Sequence, residues 1–245
     1  MKAIALDNRE WRYYKLLAES YIRHQKNDSA LMIAKKFYSL HTSNYIMGML
    51  YAKTLLLNKQ YATGDQLLSG LNIIPFEGAT EGRELYREAK LMLALQQFKN
   101  KKYKKSLAFI RQARQWPLHL GVGKPYEEDV DERLEDWLTH LCYEKMVEKK
   151  PTETFLQKII HFRPRIENTV RNFIAANTLV TMWALEKSNG KDKAENWLSE
   201  QTEKFPDNKS LLWVKEIFQS NKSGIPDMEK DASMRIFEEL ENLEQ

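Results

Sequence analysis

Seven carboxylates between residues 127 and 136 form a dense set of side chains that could do chemistry. Acidic clusters hold Ca²⁺ in EF-hand loops, which need a Gly at the sixth loop position and a Glu at the twelfth. With Asp129 as the first position, the sequence has neither. The plainer prediction is that Asp129 or Asp131 caps a helix N-terminus, with the later carboxylates near the positive end of its dipole.

The segment Gly121-Val122-Gly123-Lys124 has the order of residues that ends a phosphate-binding P-loop. That motif also needs an earlier glycine and a Ser or Thr after the lysine. Here those positions are Leu118 and Pro125, and the surrounding pattern is helical. The segment therefore predicts a turn, and no cofactor is expected.

Cysteine and histidine give no sign of a reactive or metal-binding site. Cys142 is the one cysteine, and it occupies an apolar helical position that predicts a buried thiol. The five histidines lack the spacing of metal ligands on one helix. No metal site and no catalytic residue are predicted.

The elements that position these residues follow a period of 34. Residues 11–44 and 45–78 align without a gap, and Ala18, Ala52 and Gly64 fall where two helices must come close. A 34-residue helix-turn-helix period is typical of tetratricopeptide (TPR) repeats. It predicts an all-α fold, a right-handed α-solenoid of about five helical hairpins followed by a C-terminal capping helix.

Later repeats are less regular. Residues 87–117 form a third, and the acidic and polar C-terminus predicts a solvated cap on a single domain spanning 1–245. Ala3, Leu6 and Asp7 match the end of a second helix with no first helix, so we expect the chain to be the tail of a longer array; an ordinary N-terminal extension is the alternative. Degenerate fourth and fifth repeats are predicted over 130–162 and 168–206, and the C-terminal cap is predicted over 210–245.

Composition narrows the class of protein. The chain has 245 residues, a formal charge of +4 and 42% hydrophobic residues. Basic clusters are balanced by the acidic run, which does not favour nucleic acid. No apolar run is long enough for a membrane span or a signal-peptide core. We expect a cytoplasmic protein, unless a missing upstream segment carries a signal peptide.

Two insertions follow the second helices of the second and third repeats, at 75–83 and 116–126, so a solenoid would bring them to one edge. One hypothesis is recognition of a partner. A second is a ligand-binding or hydrolytic site in the cleft between 75–84 and 117–132, with carboxylates as acid and base. A third is a set of salt bridges that lock the repeats. The candidate residues are Glu77, Glu81, Arg83, Trp116, Lys124, Tyr126 and Asp131.

These insertions, with Arg83-Glu84-Leu85-Tyr86-Arg87-Glu88 and the segment 131–138, resemble the C-terminal TPR region of an uncharacterised family of long bacterial proteins. Members typically have a β-rich domain before the repeats, and that domain looks like those that handle carbohydrate. The resemblance implies that this chain is an accessory part of a longer carbohydrate-related protein. The catalytic residues of that protein would then lie outside the 245 residues of this sequence.

The predicted inner face of the repeats is apolar, which leaves two alternatives: a groove for an amphipathic helix, or burial by neighbouring elements. Burial is favoured, because six exposed apolar side chains approach the largest patch a soluble monomer tolerates. The chain is thus interpreted as a non-enzymatic scaffold whose partner is another protein or an upstream β-rich domain. The inner-face candidates are Met49, Leu56, Leu91, Leu95 and Phe98, beside Ile46.

Overall fold

The computed structural model describes residues 4, 6–75, 79–163, 174–220 and 231–244. Over these residues it contains twelve α-helices and no strand. None of the described helices combines the length and the apolar character needed to cross a bilayer. The helices are α1 Trp11–Arg23, α2 Asn27–Tyr38, α3 Tyr45–Leu57, α4 Tyr61–Gly70, α5 Glu81–Lys99, α6 Tyr103–Ala113, α7 Arg133–Lys145, α8 Lys149–Ile160, α9 Ala175–Asn189, α10 Lys191–Lys204, α11 Lys209–Ser220 and α12 Ala232–Glu244.

The helices divide into two compact units. The first unit is Met1–Leu93 with Gln115–Lys124, and the second unit is Ala94–Arg114 with Pro125–Gln245. The single domain over 1–245 stays a prediction. Within the first unit the 34-residue register is confirmed, because α1 and α3 begin at residues 11 and 45 and α2 and α4 begin at residues 27 and 61. The all-α fold of TPR-like helix pairs is likewise confirmed.

Small residues let the helices of the first unit approach closely. A Cβ atom at Gly48 would lie 2.6 Å from Leu71 and 2.9 Å from Tyr38, and one at Gly64 would lie 2.9 Å from Leu56. Larger residues at these points would force the helices apart. The core they enclose contains Tyr14, Ala18, Ile33, Ala34, Phe37, Met47 and Leu50.

Four turns between paired helices share one backbone geometry. In each, a left-handed residue donates its N–H to the carbonyl three residues earlier, and the next residue donates to the carbonyl five residues earlier. This Schellman arrangement satisfies carbonyl groups left open at a helix C-terminus. The left-handed residues are Gln25, Lys59, Lys101 and Val147, with φ angles between 57° and 62°.

In the second unit, α6 packs on α7, α7 on α8 and α9, and α9 on α10 and α11. We call α7, α9 and α11 the first-helix layer. The fourth pair begins its second helix at Lys149, two residues before Pro151, within the predicted repeat 130–162. The fifth pair turns at Gly190, within the predicted repeat 168–206, of which residues 168–173 lie outside the described residues.

The C-terminal helix corrects one prediction. Helix α12 packs on α7 and α9, and its Ile236, Phe237 and Leu240 are almost completely buried. A solvated cap was expected because the segment contains many Glu residues. That expectation was wrong because the acidic residues and the buried apolar residues alternate along the same helix.

Candidate interaction surface

The second insertion contacts the residues that lead into the first insertion, within the first unit. The Ile73 N–H donates to the His119 carbonyl at 2.8 Å, and the His119 Nε2 atom lies 3.3 Å from the Leu68 carbonyl. Gly121 has a φ of +69° and approaches so closely that an added Cβ atom would lie 3.0 Å from the Ile73 carbonyl oxygen. These contacts fix residues 71–75 and 117–121 against each other; we call them the loop platform.

The loop platform presents large apolar side chains to solvent. Ile74 is 67% exposed and Leu118 is 80% exposed, although each is adjacent to a residue of the hydrogen bond between Ile73 and His119. Ile73 and Leu120, in contrast, are buried. The apolar side chains of the platform therefore divide into a buried set that holds the loops and an exposed set that does not.

Arg83 and Trp116, both predicted as site residues, do lie together. The Arg83 guanidinium lies 4.7 Å from the centre of the Trp116 ring, and Arg83 is only 4% exposed. Nearby, the Tyr86 hydroxyl donates to the Gln115 side chain at 3.3 Å. Burial raises the pKa of Tyr86, Asp65 raises it further, and Arg83 lowers it. A buried, stacked guanidinium stabilises the base of the platform and offers little surface to a ligand.

The other insertion candidates have different surroundings. Glu81 is the exposed first residue of α5, where its charge is favourable at the helix N-terminus. Lys124 is exposed in the first unit, and Tyr126 is exposed in the second. Glu77 lies outside the described residues.

Asp131 belongs to the second unit and is held locally. Its Oδ1 atom accepts hydrogen bonds from Arg133 Nε at 2.9 Å and from the Arg133 backbone N–H at 3.2 Å. The N-cap residue of α7 is Glu132, whose side chain makes no capping hydrogen bond, so the prediction that Asp129 or Asp131 caps this helix was wrong. Arg133 also donates to the Thr181 hydroxyl of α9 at 2.8 Å, so the pair links two helices of the first-helix layer.

A partly buried charge network in the second unit was not predicted. Arg114 donates to Asp136 at 2.7 Å and pairs with Glu132, and the Lys158 ammonium lies 3.3 Å from Asp136. Burial raises the pKa of Asp136, while the two cations lower it. The network joins α6, α7 and α8, and no sequence pattern at these separations indicates it.

The five inner-face candidates are all buried, which is the alternative that the sequence favoured. Leu56 lies against Gly64 within its own hairpin, and the Phe98 ring meets the Tyr103 ring at 5.2 Å between centroids. Side chains in these positions fill the interior of helix pairs and are unavailable as exposed anchors. The set is Met49, Leu56, Leu91, Leu95 and Phe98.

The residues that could take part in chemistry have structural roles over the part of the chain that the structure describes. Cys142 is buried as predicted, and burial raises the pKa of its thiol to about 11. Val122 of the P-loop-like segment is buried, and Gly121 ends a 3₁₀ turn in the left-handed conformation. Among the described residues, no three His, Cys, Asp or Glu side chains gather as a metal site.

No protein-family model matches the chain, and no curated protein does. Among solved structures, the chain is similar to YrrB, described as a TPR protein with an unusual peptide-binding site, with a TM-score of 0.40 and 13% identity over 88% of this chain and 96% of that one. It is similar to the MamA protein with a TM-score of 0.41 and 13% identity over 88% of this chain and 97% of that one. The fold assignment rests on the helix pairs and their register in this chain.

Proposed function

We propose that this chain is a non-enzymatic TPR-like scaffold that binds another protein or an upstream β-rich domain through the loop platform. The observation that carries the proposal is the exposure of Ile74 and Leu118 on loops whose backbones are bonded to each other. Loops that connect helices are normally short and polar. Large apolar side chains on loops of fixed conformation can act as anchor residues of a protein interface.

Rigidity of the loop platform favours binding. A loop that is already ordered loses less conformational entropy when a partner docks. The Ile73–His119 hydrogen bond and the left-handed Gly121 restrict the backbone on both sides of the exposed residues. We interpret the contact between the Arg83 guanidinium and the Trp116 ring as a buried support for the loop platform.

The proposal is tested by affinity capture with full chains. We expect a double substitution Ile74→Lys, Leu118→Lys to lose a captured partner at least tenfold, because both anchors are replaced by charges. The matched control is Leu16→Lys, Met32→Lys, which changes two similarly exposed apolar residues of the first unit away from the platform. Equal capture by wild type, double variant and control would contradict the proposal.

A substitution at Arg83 tests whether this residue supports the loop platform or contacts the partner directly. Arg83→Ala removes a buried, stacked cation, so we expect a lower melting temperature together with weaker partner binding. An unchanged melting curve with lost binding would instead assign Arg83 to recognition, against its role as a support.

A ligand-binding or hydrolytic site at the insertions remains the alternative, as does a carbohydrate-related context for the whole protein. Asp131 is neutralised by Arg133, which supports the scaffold over an acid-base role for this carboxylate. Assays on glycosides with Glu81→Gln and Asp131→Asn test the alternative. Hydrolysis by wild type that is lost in either variant would favour it over the scaffold.

A further inference from the structure

One histidine lies in the interior of the second unit, between the two helices of the fourth pair. His140 of α7 is completely buried, and its Nδ1 atom lies 3.1 Å from the carbonyl oxygen of Thr152, near the start of α8. A carbonyl oxygen can only accept a hydrogen bond, so Nδ1 must carry the proton and donate it. The hydrogen bond therefore fixes the tautomer of the neutral ring and joins α7 to α8.

The second nitrogen of this ring is buried and has no hydrogen-bond partner among the described residues. The Trp137 ring lies beside it, with ring centroids 5.2 Å apart. In the tautomer that Thr152 fixes, Nε2 carries no proton and is an acceptor alone. Protonation would create an N–H donor at Nε2 and a positive charge on the ring, and burying both without a partner is far more costly. The site therefore accepts neutral imidazole and disfavours imidazolium.

Two charged groups act on the ring, and they have opposite signs. Lys187 of α9 and Glu144 of α7 form an ion pair of 2.7 Å with each other. Among the residues whose side chains the structure describes, α6, α8 and α12 place no charged group against the ring, although all three pack on α7. Burial lowers the pKa of His140, the Thr152 carbonyl raises it, Lys187 lowers it and Glu144 raises it, and the net shift is downward. Because Glu144 is already paired with Lys187, it does not replace the water that an imidazolium would lose.

Two exposed histidines show what burial adds. The Nδ1 atom of His24 lies 2.7 Å from the Ser20 carbonyl oxygen, and that of His161 lies 3.0 Å from the Gln157 carbonyl oxygen. Both rings are exposed, so water can accept a hydrogen bond from a protonated Nε2. The same backbone bond is thus compatible with both protonation states at the surface, whereas the surroundings of His140 suit the neutral ring alone.

We propose that His140 is an acid-sensitive switch in the second unit: the neutral ring holds α8 against α7, and a proton at Nε2 favours conformations in which the two helices separate and the ring meets water. The charge of one ring is thereby coupled to the packing of a helix pair. The proposal does not depend on the loop platform, because His140 belongs to the other unit.

The pH range of the switch follows from the direction of the pKa shift. The unfolded chain binds a proton at this residue near its ordinary pKa of 6.5, while the folded protein binds one only at lower pH. The stability that the neutral ring provides is therefore fully present above pH 6.5 and is lost as pH falls below it. The ratio of folded to unfolded protein falls by up to about tenfold per pH unit, and the loss stops once the folded protein is protonated as well.

The test is urea denaturation of the full chain at about pH 7.5 and about pH 5.5, followed by tryptophan fluorescence. An asparagine at position 140 keeps a donor close to the place of Nδ1 and does not titrate. Between the two pH values we expect the unfolding constant of wild type to rise at least about threefold more than that of His140→Asn. The matched control His161→Asn makes the same replacement at an exposed ring and should follow wild type.

Equal pH dependence of wild type and His140→Asn would overturn the proposal, as would an equally reduced pH dependence in His161→Asn. Should His140→Asn fail to fold, long-range ¹H–¹⁵N NMR of the wild-type rings decides, with contacts to Trp137 identifying His140. We expect a predominantly neutral ring with its proton on Nδ1 at about pH 7.5 and still at about pH 6. A ring that carries its proton mainly on Nε2 at the higher pH, or is mainly imidazolium at the lower pH, would overturn the proposal.

Neither variant changes Ile74 or Leu118. Failure of this test therefore leaves the affinity-capture test of the loop platform intact.

Discussion

The first unit joins the loop after α4 to the loop after α6 through a backbone hydrogen bond and a closely packed glycine, whereas the second unit joins its helices through partly buried charges and aromatic rings. Ile73, His119 and Gly121 make the first kind of contact. Arg114 with Asp136, and Phe237 with Trp183, make the second kind. Backbone contacts depend on conformation and space, while buried side-chain contacts depend on the identity of both partners. The two units should therefore fail in different ways when mutated.

The largest effect is expected from Arg114→Ala in the second unit. Among the described residues Asp136 would keep the Lys158 ammonium as its remaining cation, and because Arg114 is only partly buried we expect a loss of about 3 kcal/mol, the lower end for buried pairs. Urea denaturation followed by circular dichroism measures the loss. The control Lys15→Ala breaks an exposed pair with Glu19 and should cost at most about 0.5 kcal/mol. Similar losses for both variants would remove the contrast.

The pH dependence of this variant has a defined sign. Burial already raises the pKa of Asp136 above its ordinary 3.8, and Arg114 opposes that rise. In Arg114→Ala the folded protein holds the proton to higher pH than the unfolded chain, so its free energy of unfolding falls as pH rises above 3.8. The deficit relative to wild type should grow with pH over this range. Adding Asp136→Asn should flatten it; a pH-independent deficit would contradict the assignment.

Cys142 reports how tightly the second unit is closed. Burial raises its thiol pKa from 9.0 to about 11, so at pH 8 its thiolate population is about 100-fold smaller than for an exposed cysteine. We expect colorimetric thiol labelling of native protein to be slower by at least this factor. The control is Ser69→Cys, whose position on α4 is exposed. Labelling of Cys142 as fast as that introduced thiol would show that its surroundings open readily.

In the first unit, Gly82→Ala tests the fit of the loop platform. The added Cβ atom would lie 2.8 Å from the Leu120 carbonyl oxygen, and backbone there must shift to relieve the clash. We expect a loss of about 1–2 kcal/mol, even though alanine favours the helix. Gly123→Ala has no atom within 4 Å of its new Cβ and should be neutral within about 0.5 kcal/mol. Thermal melts of both variants distinguish a steric clash at Gly82 from the effect that replacing any loop glycine would have.

The smallest effect is a gain. Val147 has a φ of 62° and is 80% exposed, so a β-branched residue occupies a left-handed turn with little packing in return. Val147→Gly should stabilise the chain by about 1 kcal/mol. Lys59→Gly at the same point of another turn should gain less, because lysine is not β-branched. A lower melting temperature for Val147→Gly would mean that contacts of the Val147 side chain stabilise the fold by more than its left-handed backbone conformation costs.

The repeats were predictable from the sequence where short-range patterns, such as small residues at helix contacts, mark them. Ala18, Ala52 and Gly64 marked the close approaches of helices, and all three are buried. Cys142 was predicted to be buried from its place on an apolar helical face, and it is buried. Each of these signals depends on neighbours a few positions away.

Contacts between distant side chains were not predictable. The Lys99–Glu239 pair joins residues 140 positions apart, and each is an ordinary charged residue in its own segment. The burial of α12 had a signal that the acidic composition obscured: Met234, Phe237 and Leu240 recur every third residue. For the loop platform, the sequence predicted that the two insertions lie along one edge, but no sequence pattern indicated that Ile73, just before the first insertion, bonds to His119.

The return of α12 to earlier helices has a consequence during protein synthesis. Helix α7 begins at residue 133 and α12 at residue 232, so about 100 residues are translated between them. At about 5–20 residues per second, the ribosome takes about 5–20 s from the start of α7 to the start of the helix that packs on it. For that interval the nascent chain carries a bare hydrophobic surface, and chaperones have a window in which to hold it.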